Sequence, residues 1–275
     1  MTLVSMAELD AAASPGGLGA FNVIQLEHAE GIIAGAEVVQ RPVVLQISEN
    51  TARFHGGLAP LASACLALAD ASSALCTVHL DHATSADLVE QAIGLGIASV
   101  MFDASAMPHD ENVAATRQVV DRCQHKGVWV EAELGEVGGK DGVHAPGVRT
   151  DPDQAAAYVE ATGVDALAVA VGSSHAMLTR DAVLDDELIA RIATAVDVPL
   201  VLHGSSGVSD ERLASAVRHG MRKINIATQL NKQLTAAVRA ALADDGVVDP
   251  RKYLGPGRDA VAAEVERLLS LLTLD

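Results

Sequence analysis

Three histidines stand at or just beyond short apolar runs in this 275-residue chain: His82 in TVHLDHA, His175 in AVAVGSSHA and His203 in PLVLHG. Imidazoles arriving from separate strands make a transition-metal site, and three protein nitrogens leave positions open for a substrate, as catalytic zinc sites do. A lone histidine is more often a packed or solvated residue without a ligand role. Recurrence of the same placement on three runs is what carries the metal reading. Asp81 directly precedes His82. Neighbours on a regular strand point to opposite faces, so both can border one cavity only where the strand end departs from that geometry. One would then be a ligand and the other the acid or base that a metal-polarised carbonyl substrate needs. Asp81 could instead cap the following helix, but Thr84 and Ser85 already offer caps before ADLVEQA.

Asp103 in FDAS and Glu133 in EAELG close neighbouring runs. They could hold a second cation or orient the ligand histidines, with a helix cap or salt bridge as the ordinary alternative. By the period of two, Glu131 shares the facing of Glu133, and His79 shares that of Asp81 and could orient a neighbour. Asn22 and Ser48 end the first two runs. HGSSGVSDERL places Gly204, Ser205 and Ser206 in a turn ahead of a helix, and NIATQL places Asn225, Ile226, Ala227 and Thr228 at the next helix start. Backbone N–H groups at two such turns cradle a phosphate, although the same residues also serve as generic caps. His55, His125, His144 and His219 lie in loops or near helix ends and are weaker candidates.

Eight β-rich apolar runs, starting at residues 19, 43, 77, 99, 129, 166, 199 and 223, leave room for a helix in every interval. That rhythm predicts an α/β fold of the (β/α)8 TIM barrel type, with the site at the C-terminal ends of the strands. An open doubly wound sheet is disfavoured because no GxGxxG or Walker-type loop follows the first run. With no low-complexity linker, residues 1–275 read as one barrel domain. The glycine-rich stretch 135–153 is too long for a simple turn and reads as an active-site loop. A C-terminal helical extension follows Asp245.

Composition is consistent with this. Hydrophobic residues make up 49% of the chain and aromatics only 2%, so Ala, Val, Leu and Ile must build the core, as in helices packed on buried parallel strands. A formal net charge of −17 argues against nucleic acid or an anionic membrane as a partner. An anionic substrate would then depend on local cations, backbone N–H groups or a metal. Cys65, Cys76 and Cys123 form no CxxC pair and read as reduced packing residues. No signal-peptide pattern and no apolar run of about 18 residues occurs, so a soluble cytoplasmic protein is expected.

The strings HLDHA, EAELGEVGG, AVAVGSSHA, LHGSSG and KINIAT, in that order, resemble the class II, zinc-dependent fructose- and tagatose-bisphosphate aldolases, and the likeness spans most of the chain from Ala20 onward. The resemblance implies a carbon–carbon lyase of carbohydrate metabolism, of the kind used in glycolysis. Such an enzyme reversibly cleaves a ketose 1,6-bisphosphate to dihydroxyacetone phosphate and an aldehyde through a zinc-stabilised enediolate. It assigns Asp81 to proton transfer at the C4 hydroxyl and His82, His175 and His203 to the zinc. Asp103 and Glu133 match positions for a second divalent metal. Gly204, Ser205 and Ser206, with Asn225, Ile226, Ala227 and Thr228, match the cradle for the dihydroxyacetone phosphate end, and Asn225 also faces the enediolate. Asn22 and Ser48 match substrate-side positions, and Arg251 and Arg258 are candidates for the second phosphate across a homodimer or homotetramer boundary. Ala176 replaces a usual glycine next to phosphate or a monovalent cation, and Asp141 stands in register with a loop glutamate that handles the C1 proton.

A Schiff-base aldolase needs a lysine at a strand's C-terminal end, and the five lysines read as lying in loops, in helices or, for Lys223, at a strand start. A metal-dependent hydrolase could use the same histidines and Asp81 but would not need the phosphate cradle. A non-catalytic sugar-phosphate-binding aldolase subunit would be expected to have a broken metal set.

Overall fold

A computed structural model describes residues 3–134, 149–174 and 179–274. Eight parallel strands close into a barrel in sequence order: β1 (Leu18–Asn22), β2 (Val43–Ser48), β3 (Cys76–Ala83), β4 (Ser99–Phe102), β5 (Trp129–Glu133), β6 (Ala166–Ala168), β7 (Leu200–Leu202) and β8 (Met221–Ile226). Each begins within two residues of its predicted start. The (β/α)8 architecture is therefore as expected.

Alternation along the strands separates two environments. Val43, Leu45 and Ile47 of β2 and Cys76, Val78 and Leu80 of β3 join the apolar layer shared with helix residues such as Ile32, Ala36, Cys65 and Ala69. The intervening residues, Gln46 and Ser48 on β2 and His79 and Asp81 on β3, are paired in register as Gln46 with His79 and Ser48 with Asp81. A polar barrel interior thus sits inside an aliphatic shell.

The apolar pattern gives no sign of the helix Met6–Ala13. Its Ser5 and Glu8 form a reciprocal capping box, which satisfies two N-terminal donors. Met6, Leu9 and Ala13 pack with Leu18, Ala20 and Val44 and touch Trp129. This helix closes the N-terminal mouth of the barrel, opposite the strand ends where the candidate residues lie.

The C-terminal extension is the helix Pro250–Leu272. It lies along the helix Leu26–Val39, close enough that a Cβ on Gly35 would stand 2.5 Å from the Ala262 carbonyl oxygen. No helix among the described residues is long and apolar enough to cross a membrane.

Candidate active site

β3 settles how Asp81 and His82 meet. Asp81 keeps the inward facing of His79, and a regular strand would then turn His82 outward. Instead His82 adopts a left-handed backbone, φ 52°, and the pairing of β3 with β4 slips between Leu80 and Ala83. Both side chains reach the barrel mouth, with His82 Nε2 at 3.9 Å from Asp81 Oδ1. Such a backbone costs about 1–3 kcal/mol in a non-glycine residue and gathers at functional sites.

The other nitrogen of His82, Nδ1, lies 2.8 Å from Asp103 Oδ2. Asp103 in turn accepts from the Ser105 N–H and hydroxyl. Carboxylates that hold one imidazole nitrogen in this way fix the ring and leave the other nitrogen for a metal. His203 meets His82 edge to face, with ring centroids 4.7 Å apart. Its Nε2 is 3.0 Å from Glu131 Oε1 and its Nδ1 is 3.2 Å from Glu133 Oε2. His82, Glu133 and His203 bring one potential ligand atom each to within 4.8 Å of one another.

Asp81 is built into a hydrogen-bond chain across β1 and β2. Gln46 Nε2 donates to Asn22 Oδ1 at 3.1 Å, and Asn22 Nδ2 donates to Asp81 Oδ2 at 2.9 Å. Asp81 Oδ1 has no hydrogen-bond partner among the described residues. Burial alone would raise this carboxyl, but His82, Lys223, His203 and His79 pull it down to about 2. Asp81 is therefore ionised at working pH and able to accept a proton. Burial first, and then the nearby Lys223 charge, push His79 down to about 3. It is neutral there, with Nδ1 at 2.7 Å from Ser99 Oγ.

Charge on His203 is governed by its neighbours. Burial would lower its affinity for a proton, yet hydrogen bonds and charges from Glu131 and Glu133 hold it up at about 9, above the ordinary 6.5. In the metal-free protein this proton stabilises the fold fully below about 6.5, and the contribution is lost as pH rises through about 9. A metal must displace the proton. Zinc affinity should therefore climb with pH by up to about tenfold per unit and level off above about 9. Calorimetric zinc titrations at several pH values, in buffers of differing ionisation heat, would measure the proton released.

The cradle predicted after β7 and β8 is assembled as one unit. Gly204 has φ 66° and leads into the short 3-10 turn Ser205–Gly207. The Ser205 hydroxyl donates to the Asn225 carbonyl, and Ser206 Oγ accepts from the Gln229 N–H at 3.3 Å. The helix Thr228–Ala241 begins after Ala227, which has no side-chain group to cap it, so apart from the Ser206 contact its first turn is arranged to receive an anion. Asn225 is buried at the end of β8, and Ile226 completes the strand.

A Cβ at Gly204 would fall 2.5 Å from the Ser174 carbonyl oxygen in a backbone that L side chains avoid. Gly204→Ala should therefore lower stability by about 1–3 kcal/mol. In a thermal melt that corresponds to a Tm lower by about 2–10 °C.

Other predicted residues fare differently. Ser48 caps the helix Glu49–Phe54 and bonds Thr51. Arg251 pairs with Asp249 and is 90% exposed in its side chain, and Arg258 pairs with Asp259 and Glu30. Both sit on the outer C-terminal helix and are not gathered into the cluster. Asp141, His175 and Ala176 lie outside the described residues, as does most of the 135–153 loop. Lys223 corrects a sequence expectation: rather than marking a strand start, it is 4% exposed within β8 and donates to Glu131 Oε2 at 2.7 Å. Its period-two relation to Asn225 was the available signal. Gln46, two before Ser48, carried the same one.

A closed (β/α)8 barrel whose strand ends bring imidazoles and carboxylates together beside the glycine- and serine-rich turn after β7 defines a TIM-barrel enzyme fold with a candidate metal centre. Residues 4–274 match the family described as "Fructose-bisphosphate aldolase class-II". A fructose-bisphosphate aldolase of Geobacillus stearothermophilus is 41% identical over 272 residues, covering 96% of this chain and 95% of its own. One from Staphylococcus aureus (strain Mu50 / ATCC 700699) is 39% identical over 273 residues, covering 97% and 96%. The crystal structure of the YdjI aldolase from Escherichia coli K12 superposes with a TM-score of 0.87 at 32% identity, covering 98% of this chain and 97% of that one. The chain belongs to the class II fructose-bisphosphate aldolase family: it is an aldolase, a carbon–carbon lyase of carbohydrate metabolism.

Proposed function

We propose that this aldolase reversibly cleaves a ketose 1,6-bisphosphate, of the fructose or tagatose type, to dihydroxyacetone phosphate and an aldehyde, with zinc as its metal. The observation that carries the reading is the pairing at the end of β3, where Asp81 Oδ1 and His82 Nε2 face one space 3.9 Å apart.

The donor set suits zinc. Two imidazoles and a carboxylate cluster within 4.8 Å, their second nitrogens are held by Asp103 and Glu131, and nitrogen and carboxylate donors with an open position are typical of catalytic zinc. His175 is proposed as the further imidazole, with Glu133 and Asp103 serving a second divalent ion or orienting the first. When bound, zinc supplies a Lewis acid for the ketone oxygen.

The chain's own groups do the remainder. Asp81, held by Asn22 at Oδ2, takes the C4 hydroxyl proton at Oδ1. The C3–C4 electron pair moves toward C2 and its oxygen, and C4 leaves as the aldehyde. In condensation the same carboxyl returns the proton to the aldehyde oxygen. Asn225 offers its amide where negative charge develops, and the N–H groups of Gly204 to Ser206 and of Thr228 hold the C1 phosphate. Ser48 lines the substrate side, and Asp141 is proposed to serve the triose C1 proton. Arg251 and Arg258 would serve the C6 phosphate, from a second copy of the chain in a homodimer or homotetramer.

Purified zinc-loaded protein would be offered fructose and tagatose 1,6-bisphosphates, with triose phosphate release followed by a coupled reductase. Cleavage of at least one at enzymic rates is the expected result. Absence of triose phosphate from both would reject the substrate assignment.

A further inference from the structure

Among the described residues, Lys223 is a buried amine to which the aldol chemistry assigns no task. It is 4% exposed, in the middle of the barrel below the strand ends, and reaches Glu131, 92 residues earlier in the chain. Nζ donates to Oε2 of Glu131 at 2.7 Å, and the other oxygen, Oε1, lies 3.0 Å from His203 Nε2. The opposite edge of that imidazole, Nδ1, is turned to Glu133 in the metal cluster. Glu131 and His203 are fully buried. Neutral His79 flanks them, with its Nε2 at 3.9 Å from Glu131 Oε2.

A fold of this kind ordinarily fills its barrel with stacked aliphatic side chains. A buried ion pair usually confers no more stability than well-packed apolar residues of the same size, so stability alone does not account for Lys223 and Glu131. The geometry supplies another reason. With Oε2 tied to Lys223, Glu131 has one oxygen directed at His203 and no freedom to rotate away. His203 must then carry its proton on Nε2, leaving the Nδ1 lone pair for a metal.

We propose that the Lys223–Glu131 pair is a positioning device that holds His203 in the Nε2–H tautomer, with Nδ1 presented to the metal. The proposal rests on the zinc reading of the site. Lys223 acts through Glu131, to which its Nζ donates. Removing it frees the carboxylate to reorient and weakens metal binding.

Zinc affinity would be measured by competition with a chromophoric chelator for the wild type, Lys223→Met, Lys223→Arg and the double variant Lys223→Met/Glu131→Leu. The double variant replaces the pair with apolar groups and leaves no buried charge unpartnered, so it tests the idea even where Lys223→Met fails to fold. Zinc binding about 10–100-fold weaker in the Met and double variants is expected, with a shifted visible spectrum of the cobalt-substituted protein and partial recovery in Lys223→Arg. Unchanged zinc affinity and cobalt spectrum in the double variant would overturn the proposal. So would ¹⁵N NMR of the zinc-loaded wild type placing the His203 proton on Nδ1. A wild type that takes up no zinc would overturn the metal reading as well, which separates the two failures.

Discussion

Asp81→Asn should lower kcat for aldol cleavage by about 10²–10⁴-fold, the range for loss of a positioned acid or base, while bound zinc and KM stay near wild type. The substitution keeps size and an oxygen near Asn22 Nδ2, which donates to Asp81 Oδ2 at 2.9 Å, so the β1–β2–β3 chain need not collapse. What it removes is the charge. Asp81 is held at about 2, so it is ionised in the wild type and has a lone pair to receive the C4 proton, whereas an amide cannot accept it. Stopped assays in both directions, with metal content measured on the same samples, would show kcat alone falling. Loss of zinc in parallel would instead make Asp81 part of the metal site.

Disrupting the cluster itself should have an effect of comparable size. His82→Asn should cost at least about 10³-fold in kcat/KM, taking the Lewis-acid contribution as several kcal/mol, together with stoichiometric zinc. Asparagine is the informative replacement because it tolerates the left-handed backbone at φ 52°. His82 is also 17% exposed in its side chain, so the fold should survive. His203→Ala makes a useful contrast. It removes the imidazole that Glu131 and Glu133 both face in a fully buried region, and breaking a buried charge network costs about 3–5 kcal/mol. Its activity loss should therefore come with a lowered Tm, whereas that of His82→Asn should not.

The eight strands were legible because buried parallel strands are rich in aliphatic residues, and several runs here carry, or are followed by, a polar residue that the aliphatic shell cannot house. That is why Asp81, Asp103, Glu133, His203 and Asn225 stand out in the sequence alone. The bend at His82 left no mark: neither glycine nor asparagine announces the left-handed residue, and the slipped β3–β4 pairing is a property of two strands at once. Asp103 could be placed at a strand end, but its grip on His82 Nδ1 depends on that bend. The Lys223–Glu131 contact joins β8 to β5 across the barrel interior, and residues so far apart in sequence carry no local pattern. Arg251 and Arg258 illustrate the reverse. Their charges suggested phosphate, yet within one chain each faces neighbouring carboxylates, Asp249 for the first and Asp259 and Glu30 for the second.

Metal-dependent cleavage is tested most directly by stripping the purified protein with a chelator, removing the chelator, and following triose phosphate from fructose 1,6-bisphosphate before and after zinc is restored. The stripped protein should be inactive, and activity should return in proportion to zinc bound at the site of His82, Glu133 and His203. Full cleavage by metal-free protein would contradict it.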